Sequence, residues 1–174
     1  MALGTTVWLT GLPGAGKTTV AIAVRDLLTA EDRPAVLLDG DELRQGLCSD
    51  LGFSATDRSE NARRTAHLAL LLAREGVVAL PALVSPFAAD RSAARRLHAD
   101  AGIPFVEVWV ATPPEECERR DPKGLWARAR AGEISEFTGV DQPYEPPAAP
   151  ELVLGPELTP ADAAGQVVGL IQRK

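Results

Sequence analysis

At 174 residues, 45% of them apolar, the chain has the length of one domain that can bury its own core. Its 18 basic and 24 acidic residues leave a net charge of −6, which argues against a protein built to grip nucleic acid. No apolar run approaches the ~20 residues that span a bilayer. No basic segment precedes an apolar core at the N-terminus, so neither membrane nor secretory signal is expected, and the cytoplasm is the expected compartment.

The first expected strand, Thr5–Thr10, runs directly into GLPGAGKT, residues 11–18, and a helix expected over Lys17–Ala30 follows. The pattern is G-x-x-x-x-G-K-[ST], from Gly11 through Gly16 and Lys17 to Thr18. Glycines at these places let the backbone take positive φ and approach a ligand closely. The N–H groups of Gly11, Leu12, Pro13, Gly14, Ala15, Gly16, Lys17, Thr18 and Thr19 (proline excepted) then supply an anion-binding nest at a helix N-terminus. In such a nest the lysine reaches the β- and γ-phosphates and the Thr18 hydroxyl binds Mg²⁺. A strand before and a helix after are the contexts that mark a true nucleoside triphosphate site. The sequence has no N-K-x-D, the guanine signature of a GTPase. The small size and an arginine-rich later segment favour phosphate transfer to a small molecule.

The second strand, Ala35–Asp39, ends in LLDGDELRQGL and places Asp39, Gly40 and Asp41 at the carboxyl edge, where open α/β sheets bind ligands. A carboxylate there either holds Mg²⁺ through water or accepts a proton from an acceptor hydroxyl; Asp41 also reads as the N-cap of a turn starting at Glu42 and Leu43. Phe53 lies in a polar loop, where it is either core anchor or stacking platform, and composition alone favours the anchor. In the helix expected over Asp57–Glu75, Arg58 and Asn61 share a face suited to a phosphate and a base edge, while Thr56 with Ser59 and Glu60 equally reads as a helix start. Gly76 suits the left-handed residue that ends that helix.

Strand Val77–Val84, helix Ala88–Ala101 and strand Phe105–Val110 come next, with Arg95 and Arg96 read as a solvated helix face. Thr112 with Pro113 and Pro114 reads as the cap and first turn of a helix to Arg120, and a further helix is expected over Gly124–Ala131. YEPPAAPE leads into a last strand, Glu151–Leu154, and Thr159 with Pro160 and Asp162 opens a helix over Ala161–Gln172. Short, nearly continuous apolar strands alternating with helices imply a three-layer α/β/α sandwich around a mainly parallel five-stranded sheet, a single P-loop domain over 1–174. Cys48 and Cys117 are expected as free thiols, and no Cys or His pair has metal-ligand spacing.

The blocks LDGDELRQGL, DLGFSATDRSENARR, LVSPFAADR, CERRDPKGLWARARAGEI and FTGVDQPYEPP occur in an order that closely resembles the adenylylsulfate kinase family, from about Val7 to Leu154. The resemblance implies transfer of the ATP γ-phosphate to the 3′-hydroxyl of adenosine 5′-phosphosulfate (APS), in sulfate assimilation, with ATP and Mg²⁺, by a cytoplasmic homodimer. It implies a catalytic proton acceptor in Asp41, with Asp39 beside it helping to organise the metal. It implies Phe53 and Phe137 as the rings that sandwich the APS adenine, with Arg44, Arg58 and Asn61 on phosphate, sulfate or ribose. Ser85 matches a serine that some members carry as phosphoserine, and is taken as a site residue on the acceptor side. The segment from about 112 to 145 is implied as a lid, with Lys123 on APS, Arg120 on ATP, and Arg119, Arg120 and Lys123 neutralising the charge in transfer. A kinase of the same fold acting on another nucleoside or specialised metabolite is the alternative. The chain departs from the family pattern at Pro13 for Ser, Thr18 for Ser and Trp126 for Tyr, and in lacking the extension usual before the first strand.

Overall fold

The computed structural model describes residues 4–172, so the outermost residues of the single-domain span lie outside the described part. Five strands form the sheet: β1 (Thr5–Thr10), β2 (Ala35–Asp39), β3 (Val78–Ala82), β4 (Phe105–Val110) and β5 (Leu152–Leu154). Their order is β2-β3-β1-β4-β5, and every pairing is parallel. β1 is central, with Thr6 in register with Ala79 on one side and Phe105 on the other. A strand so placed is covered on both faces, which accounts for the burial of Thr6 and Thr10 along with Val7, Trp8 and Leu9.

The helices are α1 (Lys17–Ala30), α2 (Gly40–Leu43), α3 (Ala55–Arg74), α4 (Ala88–Asp100), α5 (Pro114–Arg120), α6 (Leu125–Arg130) and α7 (Pro160–Ile171). Val20, Val24 and Leu28 of α1 and Val167 and Ile171 of α7 pack against Val7, Leu80 and Val108 of the sheet. On the other face, Ala62 and Ala66 of α3 and Ala94 of α4 pack on Trp8 and Phe105. Parallel strands all end at one edge, and the loops leaving β1, β2, β3 and β4 gather there. Among the described residues no helix is long and apolar enough to cross a membrane, and both cysteines are free and buried.

Local hydrogen bonds moved several element starts from where propensity puts them. α3 begins at Ala55 rather than Asp57, because Ser54 caps it: its Oγ accepts from Asp57 N at 3.1 Å and donates to Asp57 Oδ2 at 2.8 Å. Thr112 does not cap α5; its hydroxyl donates to Ala15 O at 2.8 Å, so it braces the first loop instead. Asp41 is not the cap of α2. Asp39 is, accepting from Asp41 N at 2.9 Å and Glu42 N at 3.3 Å. β3 stops at Ala82, and the chain turns away through Ser85, whose φ is +36°. Thr159 and Gly76 take the cap and left-handed places expected of them.

Removal of the Ser54 hydroxyl strands the Asp57 N–H. Ser54→Ala is expected to lose ~1 kcal/mol and Ser54→Gly only a few tenths in urea unfolding. Equal losses for the two would mean that Ser54 does not act as a cap.

Candidate active site

A cleft of about 1170 Å³ opens at the carboxyl edge of the sheet. Its walls come from the loop after β1, the end of β2 with α2, the segment around Phe53, the N-terminal turns of α3, the β3–α4 loop and the segment from Arg120 to Phe137.

At one end lies the glycine-rich loop. Gly14 has φ +79°, and a Cβ there would stand 3.2 Å from Cys117 O of α5. Gly16 has φ +103° and precedes α1, a conformation that side chains disfavour even though space is open. α1 has no side-chain cap and no acidic residue in its first turn, so its leading N–H groups face the cleft uncompensated. Lys17, only 8% exposed, donates to Gly11 O at 3.0 Å and Leu12 O at 2.8 Å. Burial pulls its ammonium down to about 8, against the pull of Cys117, Asp41 and Asp39. Pro13, Gly14, Gly16, Lys17, Thr18 and Thr19 line the cleft. Leu12 and Ala15 turn their side chains into the core, which limits them and Gly11 to a main-chain role.

Thr18 Oγ1 donates to Asp39 Oδ2 at 2.6 Å. A hydroxyl and a carboxylate so close form a hard-oxygen pair that fits Mg²⁺, which keeps waters and takes its other ligands from phosphate. Among the described residues no group of three His, Cys, Asp or Glu side chains stands ready to hold a metal by itself. With Asp39 capping α2, the exposed Asp41 carboxylate is left to the cleft, where it pairs with Lys123 Nζ.

The far end holds the expected acceptor residues. Phe53 is 53% exposed, so it is no core anchor, and the Arg44 guanidinium carbon stands 4.4 Å from its ring centroid. Arg44 also donates to Leu51 O and Gly52 O, fixing that loop. Phe137 is 5% exposed and meets Trp126 edge-on, centroids 5.3 Å apart, while still forming part of the cleft wall. The two rings are therefore unequal: one is exposed, the other set in the protein. Asn61 is 5% exposed and its Nδ2 has no hydrogen-bond partner. A buried amide left so costs ~1–3 kcal/mol, which an acceptor atom in the cleft would recover. Arg58 reaches across to the lid, as described below.

Ser85 lines the cleft with its Oγ accepting from Trp8 Nε1 at 3.0 Å. Its carbonyl accepts from Arg91 Nη1 at 2.7 Å. Arg91 is 2% exposed and also donates to Glu107 Oε1 at 2.8 Å and Glu145 O at 2.6 Å. Nothing local in the sequence marks Arg91, Trp8 or Glu107. Their link to the serine loop joins α4, β1 and β4, and only the folded sheet brings these together. Arg95 is also not simply solvated: it pairs with Glu151 at 2.6 Å and Glu107 at 3.3 Å.

In the lid, Arg120 lines the cleft while pairing with Glu116 at 2.7 Å. Arg119 pairs with the same glutamate but lies outside the lining, so it is not placed to meet a transferring phosphate. Trp126 Nε1 donates to Pro13 O at 2.9 Å, binding lid to phosphate loop.

The family model described as adenylylsulphate kinase matches residues 3–155. The chain is 52% identical over 169 residues to the bifunctional enzyme CysN/CysC of Mycobacterium tuberculosis, covering 97% of this chain and 28% of that protein. It is 49% identical over 151 residues to the adenylyl-sulfate kinase of Saccharomyces cerevisiae, covering 87% of this chain and 75% of that one. The solved structure of the M. tuberculosis APS kinase CysC in complex with AMPPNP and APS superposes with a TM-score of 0.97 at 51% identity, covering 99% of each chain. The chain thus spans little more than a quarter of the bifunctional relative.

A polyphosphate held against Lys17 would raise the ammonium pKa from its free value near 8. ATP binding should then take up a proton above pH 8, and affinity should fall as pH rises beyond it. Calorimetry at pH 8.5 in buffers of different ionisation heat is expected to show this uptake, and Lys17→Met to abolish it. A wild-type affinity that stays flat from pH 7 to 9.5 would place Lys17 away from the phosphates.

Proposed function

Because the chain belongs to the adenylylsulphate kinase family, we propose that it transfers the γ-phosphate of ATP to the ribose 3′-hydroxyl of APS, giving ADP and the 3′-phosphorylated product. The observation that supports this best is a single cleft with a phosphate loop at one end and, at the other, two aromatic rings, two arginines and the unpartnered amide of Asn61.

In this reading the loop amides and Lys17 hold the β- and γ-phosphates of ATP. Arg120 lies beside the donor. Thr18 and Asp39 hold Mg²⁺, which supplies neutralisation of the phosphate oxygens. The adenine of APS sits between Phe53 and Phe137, with Arg44, Arg58 and Asn61 on its anionic and ribose groups. The 3′-oxygen forms a bond to the γ-phosphorus as the bond to the β–γ bridging oxygen breaks, and the hydroxyl proton passes to Asp41. Lys123 leaves its pairing with Asp41 for the bound acceptor, and the lid over about 112–145 excludes water from the competing hydrolysis. Ser85 stands on the acceptor side as a polar wall residue; in-line transfer asks for no covalent intermediate on it. The proposed setting is cytoplasmic sulfate assimilation, and the proposed assembly is a homodimer, on family likeness.

Purified protein given ATP, Mg²⁺ and APS is expected to release ADP, with other nucleosides and nucleotides giving far less. Preferential phosphorylation of another hydroxyl compound would replace the acceptor. Asp41→Ala is expected to lower turnover by roughly 10²–10⁴-fold while ATP still binds; an unaltered rate would remove Asp41 from the chemistry.

A further inference from the structure

We propose that Gln142 is a positioning residue of the acceptor half of the cleft: its neutral side-chain amide aims the Arg58 guanidinium at the anionic group of the acceptor without cancelling the charge. This rests on reading that half as the APS site.

Arg58 carries five N–H groups. Its Nε–H is shared between Phe53 O at 3.0 Å and Gln142 Oε1 at 3.1 Å. One Nη2–H goes to Glu136 O at 3.0 Å. That leaves three N–H groups, on Nη1 and Nη2, and the residue lines the cleft. All three acceptors are neutral. Arg63, Arg64, Arg119 and Arg120, by contrast, are each paired with a carboxylate. The nearby Asp141 does not play that part, because its oxygens take the Glu136 N–H at 2.7 Å and the Phe137 N–H at 2.5 Å. Burial and the neighbouring Arg44 lower the Arg58 guanidinium to about 10, against the pull of the Glu136 and Asp141 carboxylates, which act on it through space without hydrogen-bonding to it, and it stays charged at neutral pH.

Gln142 is tied to both aromatic residues of the acceptor half. Its main-chain N–H donates to Phe137 O at 3.2 Å and its carbonyl accepts from Gly139 N at 2.8 Å, closing the turn that carries Phe137. Its Nε2 reaches Phe53 O at 3.5 Å. One amide thus fixes the lid's return to the loop of the exposed ring and the direction of the guanidinium together. A glutamate there would accept the same bond from Arg58 yet place a negative charge beside it. A neutral residue at this point is what an arginine reserved for an anionic ligand requires.

Steady-state kinetics with ATP and APS, together with thermal unfolding, on Gln142→Glu, Gln142→Ala and Gln142→Asn tests this. Gln142→Glu is expected to raise the KM for APS about tenfold, equivalent to ~1.4 kcal/mol. Gln142→Ala should raise it severalfold and Gln142→Asn least, with the KM for ATP and the unfolding midpoint unchanged. A Gln142→Glu enzyme with the wild-type KM for APS would overturn the charge argument. So would losses spread equally over both substrates with a lowered midpoint, since these mark a merely structural residue. A wild-type chain that releases no ADP with APS would overturn the functional reading, and this inference with it; an active wild type with unchanged variants overturns the inference alone.

Discussion

The bond from Thr18 Oγ1 to Asp39 Oδ2, 2.6 Å long, joins the two halves of the cleft. Thr18 belongs to the first turn of α1, next to the phosphate loop, and Asp39 ends β2. The other Asp39 oxygen accepts from Asp41 N and Glu42 N and so starts α2. One carboxylate therefore ties the phosphate loop to the turn that carries Asp41. If Asp39 lost its place, the hard-oxygen pair and the orientation of Asp41 would go together. Strand pairing supports it: Asp39 is in register with Ala82, and β3 lies between β2 and the central β1.

The segment over about 112–145 is tied to the rest of the molecule at its middle and at its far end. At the middle, the Trp126 indole donates to Pro13 O in the phosphate loop, while its ring meets the edge of Phe137. Two of the chain's departures from the family pattern thus touch each other. Gly139 lies against the same ring: its φ is +100°, and a Cβ there would come 2.7 Å from Trp126 Cη2. At the far end, Arg91 binds Glu145 O, Ser85 O and the Glu107 carboxylate at once. Breaking a buried pair of this kind by removing one partner costs ~3–5 kcal/mol. The loop carrying Ser85 and the chain at Glu145 are held by the same guanidinium.

Legibility from sequence followed the range of the interaction. The phosphate loop is local, with Gly14, Gly16, Lys17 and Thr18 within five residues, and its setting between a strand and a helix is the one expected. The bounds of β1, β2, β4, α1 and α5 also fall where they were expected, although β2 buries only Leu38 fully. Asp41 and Thr112 were read as caps and are not, and the start of α3 was placed too late, because neighbouring residues compete for a cap and three-dimensional hydrogen bonds decide among them. Phe53 exposes more than half of its surface against the average habit of its residue type, so composition led to the wrong reading of it as a core anchor. Arg91, Trp8 and Gln142 could not be read at all. Their partners lie far along the chain, Trp8 and Ser85 by 77 residues and Arg58 and Gln142 by 84.

Asp39→Asn isolates the central linkage most directly. Asparagine caps a helix as well as aspartate does, so α2 and the direction of Asp41 should persist, while the charge offered to Mg²⁺ is gone. Single-turnover transfer from ATP to APS, titrated with Mg²⁺, is the measurement. The account predicts that the variant binds ATP, needs about 10- to 100-fold more Mg²⁺ for half-maximal rate, and transfers phosphate far more slowly at ordinary Mg²⁺. Wild-type rate and wild-type Mg²⁺ dependence in Asp39→Asn would contradict it.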